Sequence, residues 1–363
     1  MKILHLINSL GGGGKERRMI QLIKGLADAG YTNQKIITFS SRNDYAEQLI
    51  TLGIEVIVLN HKQRLKIIRD LFHAILYYKP TIIHSWCNIS LIMIILPFFK
   101  PLLKFYYLAG FIADANKIPL FSLNNLAMLF SFRYADAIVS NSKAGLIAKN
   151  APTKKSQVIY NGFDFNRLNN TATFQTDIKV YTPYIISMFA SFCPHKDYDM
   201  FLTVAKSFQN SRNDITFLAI GQGELLDFYI HRAQKENISN IIFLGFRKDV
   251  EAILKISDIC LLFTDNKFHA EGVSNAIMEA MATGKPVIAT AGGGTTEIID
   301  NKKNGYIIKP KDIPSAVSII NELLNSEQLR KNIGYAAVKK IKSCFLLECM
   351  TAKYIELYKL IIK

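Results

Sequence analysis

Two glutamates, Glu271 and Glu279, stand eight residues apart in a segment whose residue types could bind an anion. Gly272 interrupts the apolar run before it, and Ser274 has the side chain of an N-cap residue, so we expect a helix from Asn275. A helix N-terminus carries the positive end of the helix dipole and backbone N–H groups that lack partners within the helix. The segment therefore predicts a site for a phosphate or diphosphate.

The spacing of Glu271 and Glu279 limits the kinds of site that the two carboxylates can form. A rise of about 1.5 Å per residue places their Cα atoms at most roughly 12 Å apart, which suits the sugar at one end of a nucleotide-sugar and the ribose at the other. The carboxyl groups of a glycosidase stand closer together, at about 5 to 9.5 Å. The alternative is an amphipathic helix with two solvated glutamates. The strand pattern and the glycine turn that follow, at residues 286–289 and 292–294, favour the binding site.

Residues 271–288 read EGVSNAIMEAMATGKPVI and resemble, without a gap, the signature of glycosyltransferase family 4 in the GT-B superfamily. The first 17 residues resemble the family's first strand, glycine loop and Gly-Gly-x-Glu-Arg helix opening. Further family blocks follow in the family's order at residues 135–143, 158–164, 192–197, 221–223, 243–246 and 297–300. The resemblance therefore covers nearly the whole chain.

The resemblance implies an α/β protein of the GT-B fold, with two Rossmann-like doubly wound domains and a cleft between them. It also implies a retaining transfer of a hexose or N-acetylhexosamine from a nucleotide-sugar, above all a UDP-sugar, to a hydroxyl group. In front-face transfer the leaving diphosphate helps to deprotonate the acceptor, so no strong protein base is needed.

The family's donor-binding residues can be carried over position by position. The resemblance gives Glu271 the sugar hydroxyls, Glu279 the ribose and Lys196 the diphosphate, whose negative charge grows as the sugar leaves. Many relatives have a second cation, an arginine, where Ser191 stands here. The other donor contacts are predicted at Gly13, Gly14, Ser191, Gly221, Leu244, Phe246, Gly272, Val273, Ser274 and Asn275. The alternative for Lys196 is a surface lysine at a helix start. The alternative for the glycine loop that contains Gly13 and Gly14 is a purely structural turn.

An Asp-x-Asp sequence follows Lys196 directly, at residues 197–199. In other glycosyltransferases such a pair holds a metal ion. Here it coincides with a predicted helix start, so we expect Asp197 to cap that helix. We accordingly predict no essential metal and no cofactor, since the nucleotide-sugar is a substrate.

Three residues are candidates for the acceptor side: Arg17 after the glycine loop, His84 at a strand end, and Asp114. Many relatives carry their mechanistically important histidine one strand after His84, but residues 108–114 contain none here. This departure from the family pattern leaves a structural role at the end of the strand as the alternative for His84.

The composition is that of a globular protein in a reducing compartment. The 363 residues are 50 % hydrophobic and 20 % charged, which is enough apolar material for two domains. The five cysteines contain no Cys-x-x-Cys pair, which argues against a disulfide framework or a zinc site. No secretion signal is evident before the first strand pattern, so a cytoplasmic location is predicted.

The net charge of +15 is concentrated in the first half of the chain. Residues 1–172 hold 21 basic and 9 acidic side chains, a charge of +12, and the remainder carries +3. Basic residues beside otherwise apolar helices favour an anionic lipid surface or a phosphate-bearing acceptor, although a solvated basic face is the alternative. These residues are Lys15, Arg17, Arg18, Lys62, Arg64, Lys66 and Arg69. We predict a peripheral protein at the inner face of the plasma membrane, without a nucleic-acid partner.

The longest apolar stretch, residues 89–112, is interrupted by Pro97, Lys100, Pro101 and Lys104. An uninterrupted membrane span would need about 20 apolar residues. The stretch therefore predicts a buried helix, a turn and a core strand, with an interfacial segment as the alternative.

Short apolar runs that alternate with amphipathic ones predict two parallel sheets. Strands are expected at residues 3–7, 35–38, 55–59, 81–84, 105–109 and 137–140, and then at 184–189, 215–220, 241–244, 259–263 and 286–289. The polar stretch 166–177 predicts the interdomain linker. The domains are then 1–168, for the acceptor, and 169–344, for the donor, with a last helix at 345–363 that returns to the first domain.

The sequence thus predicts a glycosyltransferase for a growing, lipid-linked surface polysaccharide of bacterial type. A GT-B epimerase would need a dense set of acid and base residues, and few of the seven histidines stand in motif positions. A basic membrane-binding or nucleic-acid-binding protein without catalysis would explain the charge but not residues 271–279.

Overall fold

The computed structural model describes residues 1–117, 119, 121–169, 176–209, 211–265 and 270–363. The chain divides into two compact units, which are described separately. Unit 1 comprises Met1–Gly162 and Leu347–Lys363, and unit 2 comprises Phe163–Leu346. Each unit is a parallel sheet with helices between its strands, as the α/β prediction required.

Unit 1 has, within its described residues, a seven-stranded sheet in the order β3-β2-β1-β4-β5-β6-β7. Its strands are β1 Ile3–Ile7, β2 Gln34–Thr38, β3 Glu55–Val58, β4 Ile82–Ser85, β5 Tyr106–Ile112, β6 Ala137–Ser140 and β7 Ser156–Val158. Its helices are α1 Gly14–Asp28, α2 Ala46–Thr51, α3 Arg64–Tyr78, α4 Ser90–Leu103, α5 Leu123–Tyr134, α6 Lys143–Ala148 and, at the chain end, α14 Leu347–Ile362. Apolar clusters cover both faces of this sheet.

Unit 2 has a six-stranded sheet in the order β10-β9-β8-β11-β12-β13, again within its described residues. Its strands are β8 Tyr184–Phe189, β9 Ile215–Ile220, β10 Ile241–Gly245, β11 Ile259–Leu262, β12 Val287–Thr290 and β13 Tyr306–Ile308. Its helices are α7 Tyr198–Gln209, α8 Leu226–Lys235, α9 Val250–Ile256, α10 Asn275–Ala282, α11 Thr295–Ile298, α12 Ile313–Asn325 and α13 Glu327–Cys344, preceded by a short 3-10 helix at Phe165–Leu168.

The predicted strands are all present, and four of them, β1, β6, β8 and β9, have the predicted bounds. Two strands were missed, β7 and β13. Each is three residues long, which is too short to show a periodic pattern, and all three residues of β7 are only partly buried.

The division between the units falls after Gly162 rather than after residue 168. The 3-10 helix Phe165–Leu168 belongs to unit 2 because Arg167 pairs with carboxylates there. Of the predicted linker 166–177, residues 170–175 lie outside the described part of the chain. Helix α14 belongs to unit 1, where it packs against α1. Leu360, near the end of α14, is 66 % exposed.

The apolar stretch 89–112 forms a helix, a turn and a strand as predicted, namely α4, a left-handed residue at Lys104 and strand β5. The helix is not buried throughout, because Phe98 is 56 % and Leu102 is 69 % exposed. Helix α4 continues through Pro97 and Pro101. None of the helices in the described residues combines the length and the apolar character that crossing a membrane requires.

Candidate functional site

The loops at the carboxyl edge of the sheet in unit 2 carry most of the predicted donor residues. The strand order reverses its direction of winding between β8 and β11. Ligands of open parallel sheets bind outside the carboxyl ends of the strands, at this switch point. Lys196 follows β8 and Glu271 follows β11, so the two candidates lie on the two sides of the switch point.

The ammonium group of Lys196 forms an ion pair with the carboxylate of Glu271. Both side chains are largely buried, with 10 % and 17 % exposed. The backbone of Lys196 forms an isolated antiparallel bridge with Thr264, and the Asp197 N–H donates to the Phe263 carbonyl over 3.0 Å. Backbone pairing therefore holds the loop after β8 against the end of β11, and the residues predicted to bind the diphosphate and the sugar come into contact.

Asp197 caps α7, as the sequence predicted. Its Oδ1 accepts a hydrogen bond from the Met200 N–H at 3.0 Å, and the Lys311 ammonium lies 2.8 Å from the same oxygen. Asp199 forms an ion pair with Arg232. Both carboxylates of the Asp-x-Asp sequence are thus engaged in capping and ion pairs. In the part of the chain that the structure describes, no group of three or more His, Cys, Asp or Glu side chains is arranged to hold a metal ion.

Ser191 and Gly221 lie where the loops after β8 and β9 contact each other. The Phe192 N–H donates to the Gln222 carbonyl over 3.1 Å, which joins the two loops. At Gly221 the φ angle is +148° and a Cβ atom would lie 2.0 Å from the Ala190 carbonyl oxygen. A residue other than glycine would therefore separate the loops. Ser191 is exposed beside this contact.

The glycine turn after β12 contacts the backbone of the Glu271 loop. The Gly294 N–H donates to the Glu271 carbonyl over 2.8 Å. Gly293 has a φ angle of +51°, and a Cβ atom there would lie 1.8 Å from the same carbonyl oxygen. A Cβ atom at Gly294 would lie 2.6 Å from the carbonyl carbon of Gly272. A side chain at either position would displace the loop that carries Glu271.

Helix α10 begins where the sequence predicted, directly after the Glu271 loop. Ser274 is the N-cap residue of α10. Within the described residues, its side chain makes no capping hydrogen bond to the first turn of the helix. Gly272 and Val273 are buried and Asn275 is partly buried. The positive end of the α10 dipole therefore lies at the same edge as the Lys196–Glu271 pair.

Glu279, the residue predicted to bind the ribose, is paired with Arg167, which was not predicted as a site residue. Glu279 is 5 % exposed, and its Oε1 lies 3.1 Å from Nη1 of Arg167. The Nη2 atom of Arg167 pairs with Glu251 in α9, and the Phe163 ring lies 5.4 Å from the guanidinium carbon. A guanidinium between two buried carboxylates fixes the orientation of Glu279. Because 112 residues separate Arg167 from Glu279, spacing in the sequence could not reveal the pair.

The carboxyl end of β10 presents the nucleobase candidates Leu244 and Phe246. Gly245 ends the strand with a φ angle of +64°, and its carbonyl accepts a hydrogen bond from the Gly221 N–H at 2.9 Å. Leu244 is partly buried, whereas the Phe246 side chain is 58 % exposed. Arg247 pairs with neighbouring aspartates and so closes this loop. An exposed ring therefore stands at the same sheet edge as Gly221.

In unit 1 the glycine loop occupies the corresponding position, since the sheet reverses its winding between β1 and β4. Helix α1 begins at Gly14, with Gly13 as its N-cap residue, and the Arg17 N–H donates to the Gly13 carbonyl over 3.0 Å. Burial raises the pKa of Tyr45, and the neighbouring Arg17 guanidinium opposes that rise. The structure thus places Gly13, Gly14 and Arg17 at the switch point of unit 1.

His84 is wholly buried, in a cluster of aromatic side chains. Its Nδ1 lies 2.7 Å from the Tyr358 hydroxyl in α14, and its ring centroid lies 4.1 Å from that of Trp86. Burial lowers the pKa of His84 well below 6.5, and the nearby His5 and Arg18 lower it further. In this arrangement a neutral imidazole joins β4 to the last helix, which favours the structural role at the strand end.

Asp114 follows β5 and is the other acceptor-side candidate. Its Oδ1 lies 2.8 Å from the Lys149 ammonium and accepts a hydrogen bond from the Asn116 N–H at 2.9 Å. The Lys149 side chain is only 7 % exposed, so this ion pair is largely shielded from water. About a third of the Asp114 side chain, 32 %, is exposed and open to solvent.

The chain has the GT-B fold. The crystal structure of the HepE protein of Anabaena in complex with UDP-glucose matches it with a TM-score of 0.83, over 99 % of this chain and 100 % of that one, at 20 % identity. Residues 171–340 match the family model of the glycosyl transferases group 1. This region contains the Lys196–Glu271 pair, the glycine turn and α10.

Two curated relatives agree with this match. An uncharacterized glycosyltransferase of Methanocaldococcus jannaschii is 30 % identical over 217 residues, 58 % of this chain and 57 % of that protein. The UDP-Gal:alpha-D-GlcNAc-diphosphoundecaprenol alpha-1,3-galactosyltransferase of Escherichia coli is 29 % identical over 171 residues, 44 % of this chain and 43 % of that enzyme. The chain therefore spans less than two thirds of the length of either relative.

Proposed function

We propose that the protein is a retaining glycosyltransferase of family 4. It transfers a hexose or N-acetylhexosamine from a nucleotide-sugar, with UDP-sugars as the first candidates, to a hydroxyl group of a growing glycan. The observation that carries the proposal is the Lys196–Glu271 pair at the switch point of unit 2, directly before the N-terminus of α10. A cation, a carboxylate and a helix dipole at one sheet edge suit a sugar diphosphate. The group 1 match and the UDP-glucose held by HepE support this donor class.

Lys196 and Glu271 exchange partners when the donor binds. The diphosphate takes the Lys196 ammonium, and Glu271 becomes available to accept hydrogen bonds from the sugar hydroxyls. As the bond between the anomeric carbon and the diphosphate oxygen breaks, negative charge grows on that oxygen. Lys196 and the α10 dipole stabilise this charge in a site from which water is largely excluded.

The nucleoside part of the donor occupies the rest of the same edge. Glu279, oriented by Arg167, accepts hydrogen bonds from the two ribose hydroxyls. The base lies over the end of β10, where Gly245 and the exposed ring of Phe246 offer backbone and ring surface.

The acceptor hydroxyl attacks from the face that the diphosphate leaves, so the configuration at the anomeric carbon is retained. The leaving diphosphate takes the acceptor proton, and no side chain acts as a strong base. The buried His84 takes no part in this step. No metal is needed, because Lys196 supplies the charge and Asp197 and Asp199 are engaged elsewhere. Activity that survives EDTA would support this point.

The acceptor is a lipid-linked saccharide for a surface polysaccharide, at the cytoplasmic face of the plasma membrane. Two observations support this part of the proposal. Residues 1–172 carry +12, and the basic residues at the start of α3 are exposed: Lys62, Arg64, Lys66 and Arg69. The Escherichia coli relative is named for a diphosphoundecaprenol acceptor.

Calorimetry with UDP, GDP, ADP and their sugars tests the donor site. At least one nucleoside diphosphate should bind, and Glu279→Ala should weaken it about tenfold or more, since hydrogen bonds to a charged group contribute about 1.5 to 3 kcal/mol. Glu322→Ala is the matched control, because Glu322 is an exposed glutamate of α12. Absence of nucleotide binding, or equal affinity of the Glu279 variant, would contradict the proposal.

The stereochemistry has its own test. The NMR spectrum of the first-formed product should show the anomeric configuration of the donor. Inversion would overturn the retaining mechanism while leaving the donor site intact. Conversion of the nucleotide-sugar into its epimer when no acceptor is present would instead indicate an epimerase.

A further inference from the structure

Helices α4 and α5 of unit 1 expose large apolar side chains on their outer faces. On α4, Phe98 is 56 % and Leu102 is 69 % exposed. On α5, Leu126 is 54 % and Tyr134 is 48 % exposed. We call these four residues and Phe130, which lies between them, the α4–α5 face. Scattered apolar residues on a surface are ordinary, but a contiguous group indicates an interaction site.

The three aromatic side chains of the α4–α5 face are contiguous. The ring centroids of Phe98 and Phe130 are 5.6 Å apart, and those of Phe130 and Tyr134 are 4.9 Å apart. Along α5 the exposed apolar residues are Leu123, Leu126, Leu129 and Tyr134, and Phe130 is partly buried beside them. The two helices therefore present one aromatic surface across their contact.

Helix α4 is apolar on both of its sides. Its inner side packs into the core through Ile92, Leu96 and Phe99. Its sequence, SLIMIILPFFKPLL, contains a single charged residue, Lys100. A helix that is apolar all round is normally covered on every side. In the described part of the chain, the outer side of α4 stays uncovered at Phe98 and Leu102, although its sequence favours a cover.

The charge around the α4–α5 face is positive. Lys104 directly follows α4 and Arg133 lies in the last turn of α5, and both are exposed. Asp136, just after α5, is paired with Lys100 of α4, so its charge is balanced there. Aromatic side chains with flanking cations are typical of surfaces that bind the interface of an anionic bilayer.

The cations that flank the α4–α5 face and the basic start of α3 lie at opposite edges of the sheet. Helices between parallel strands start at the carboxyl edge and end at the amino edge. Arg64 begins α3 and so lies at the carboxyl edge, whereas Lys104 and Arg133 precede β5 and β6 and lie at the amino edge. Docking through one basic region would therefore orient the protein on a bilayer differently from docking through the other.

We propose that the α4–α5 face is the surface through which this protein docks on an anionic phospholipid bilayer. Phe98, Leu102 and Leu126 enter the boundary between headgroups and acyl chains, and Lys104 and Arg133 contact lipid phosphates. A second copy of the chain would bring these cations towards their own equivalents, which disfavours self-association through this face. The inference deepens the membrane association proposed above, but it does not depend on the transfer reaction.

Vesicle co-sedimentation tests the proposal. The probes are vesicles of phosphatidylcholine alone and of phosphatidylcholine with phosphatidylglycerol. The variant F98S/L102S/L126S removes exposed side chains, and we expect it to lose at least about tenfold in partitioning to the anionic vesicles. Its control is I50S/I147S/Y335S, which removes side chains that are 75 to 78 % exposed elsewhere and should bind like the wild type.

Salt distinguishes the α4–α5 face from the basic start of α3. Apolar insertion is weakly screened, so wild-type binding should persist in part at about 0.5 M salt, where the Debye length is only about 4 Å. Replacing Lys62, Arg64, Lys66 and Arg69 by Gln should then leave the binding that remains at this salt concentration unchanged. If this quadruple variant abolishes binding while F98S/L102S/L126S does not, α3 is the docking site and the proposal is wrong.

Two further outcomes would overturn the proposal. Absence of wild-type binding to anionic vesicles is the first. The second is a wild-type dimer in light scattering that F98S/L102S/L126S converts to a monomer, since the face would then be covered by a second copy. The nucleotide affinity of the same variants separates the proposed donor site from the proposed docking face. Lipid binding without nucleotide binding would contradict only the donor site.

Discussion

Each unit places an arginine beside an aromatic ring, and the surroundings of the two arginines differ in charge. Arg167 of unit 2 lies between the carboxylates of Glu251 and Glu279. Arg18 of unit 1 is only 1 % exposed, and its guanidinium carbon lies 4.9 Å from the ring of Trp86. Its neighbours in that cluster are rings and hydroxyl groups rather than carboxylates.

Arg18 is incompletely hydrogen-bonded. Its Nη2 donates to the Tyr354 hydroxyl, but Nε and Nη1 have no hydrogen-bond partner among the described residues. A buried charge without a counter-charge is costly, whereas removal of one member of a buried pair leaves the other charge uncompensated. Neutralisation of the arginine should therefore destabilise unit 2 much more than unit 1.

The largest effect is expected where a paired charge of unit 2 also binds the donor. Lys196→Ala should lower kcat by at least about 10²-fold, the low end for loss of an electrostatic stabiliser, with a smaller change in KM. Steady-state kinetics with a UDP-sugar measures both. Lys206→Ala is the control, because Lys206 is also ion-paired, to Glu236, but is half exposed. Full activity of the Lys196 variant would mean that the diphosphate is held elsewhere.

The next effect concerns the stability of unit 2. Arg167→Met leaves Glu251 and Glu279 buried without their shared cation, and we expect a loss of about 3 kcal/mol in the free energy of unfolding, near the low end for breaking a buried pair. The arginine is 29 % exposed, so water partly screens it and larger values are not expected. Urea unfolding followed by circular dichroism measures the loss.

A double-mutant cycle separates positioning of Glu279 from general destabilisation. If Arg167 acts on the nucleotide through Glu279, Arg167→Met should weaken binding in the wild type but not in the Glu279→Gln background. Glu251→Gln keeps the Arg167–Glu279 pair and should leave nucleotide affinity within about twofold. Equal losses of affinity in both backgrounds would show that Arg167 only stabilises the fold.

Unit 1 should instead respond to pH, through His5. Its Nε2 bonds to Gln34 and its Nδ1 accepts from the Trp86 indole, so the ring is held neutral. Burial lowers the pKa of His5 from 6.5 to about 4, and the bond to Gln34 partly opposes this. The unfolded chain therefore binds a proton more readily than the folded one.

The free energy of unfolding should thus be complete above about pH 6.5 and fall as the pH drops towards 4, by at most about 1.4 kcal/mol per pH unit from this group. Trp86 is the sole tryptophan of the sequence, so its fluorescence reports on unit 1. His5→Gln should reduce the slope without abolishing it, because burial also lowers the pKa of His84, which keeps its own contribution. His231→Gln, at an exposed histidine of unit 2, should leave the slope unchanged. An unchanged slope in the His5 variant would show that His5 does not contribute to it.

The parts of the fold that were predicted from the sequence depend on local patterns. Strands such as β8 and β9 are continuous apolar runs whose length and flanks are visible in the sequence, and the start of α10 is marked by Gly272 and Ser274. The family resemblance assigned Lys196 and Glu271 to one donor site, but their ion pair was not predicted. Local chemistry therefore sufficed for the elements, whereas the donor residues came from the resemblance.

The features that could not be predicted from the sequence depend on contacts between segments that are far apart in the chain. Arg167 reaches Glu279 across 112 residues, and His84 reaches Tyr358 across 274. The sequence marked His84 as a strand-end candidate, but only the position of α14 shows that its imidazole is buried. Similarly, α4 reads as a core helix, and only packing shows that its outer side stays exposed at Phe98. These features require the tertiary arrangement.

The smallest effect is expected at Arg18, and it is the sharpest test of the difference between the units. Arg18→Met replaces a buried, incompletely bonded cation by an apolar side chain of similar length, which is often neutral or stabilising. The stacking on Trp86 that is lost contributes about 0.5 to 2 kcal/mol, and the desolvation penalty that is removed offsets it. The free energy of unfolding, measured by Trp86 fluorescence, should therefore change by less than about 1 kcal/mol, against about 3 kcal/mol for Arg167→Met. A loss at Arg18 as large as that at Arg167 would show that rings and a hydroxyl compensate a buried guanidinium as well as two carboxylates do.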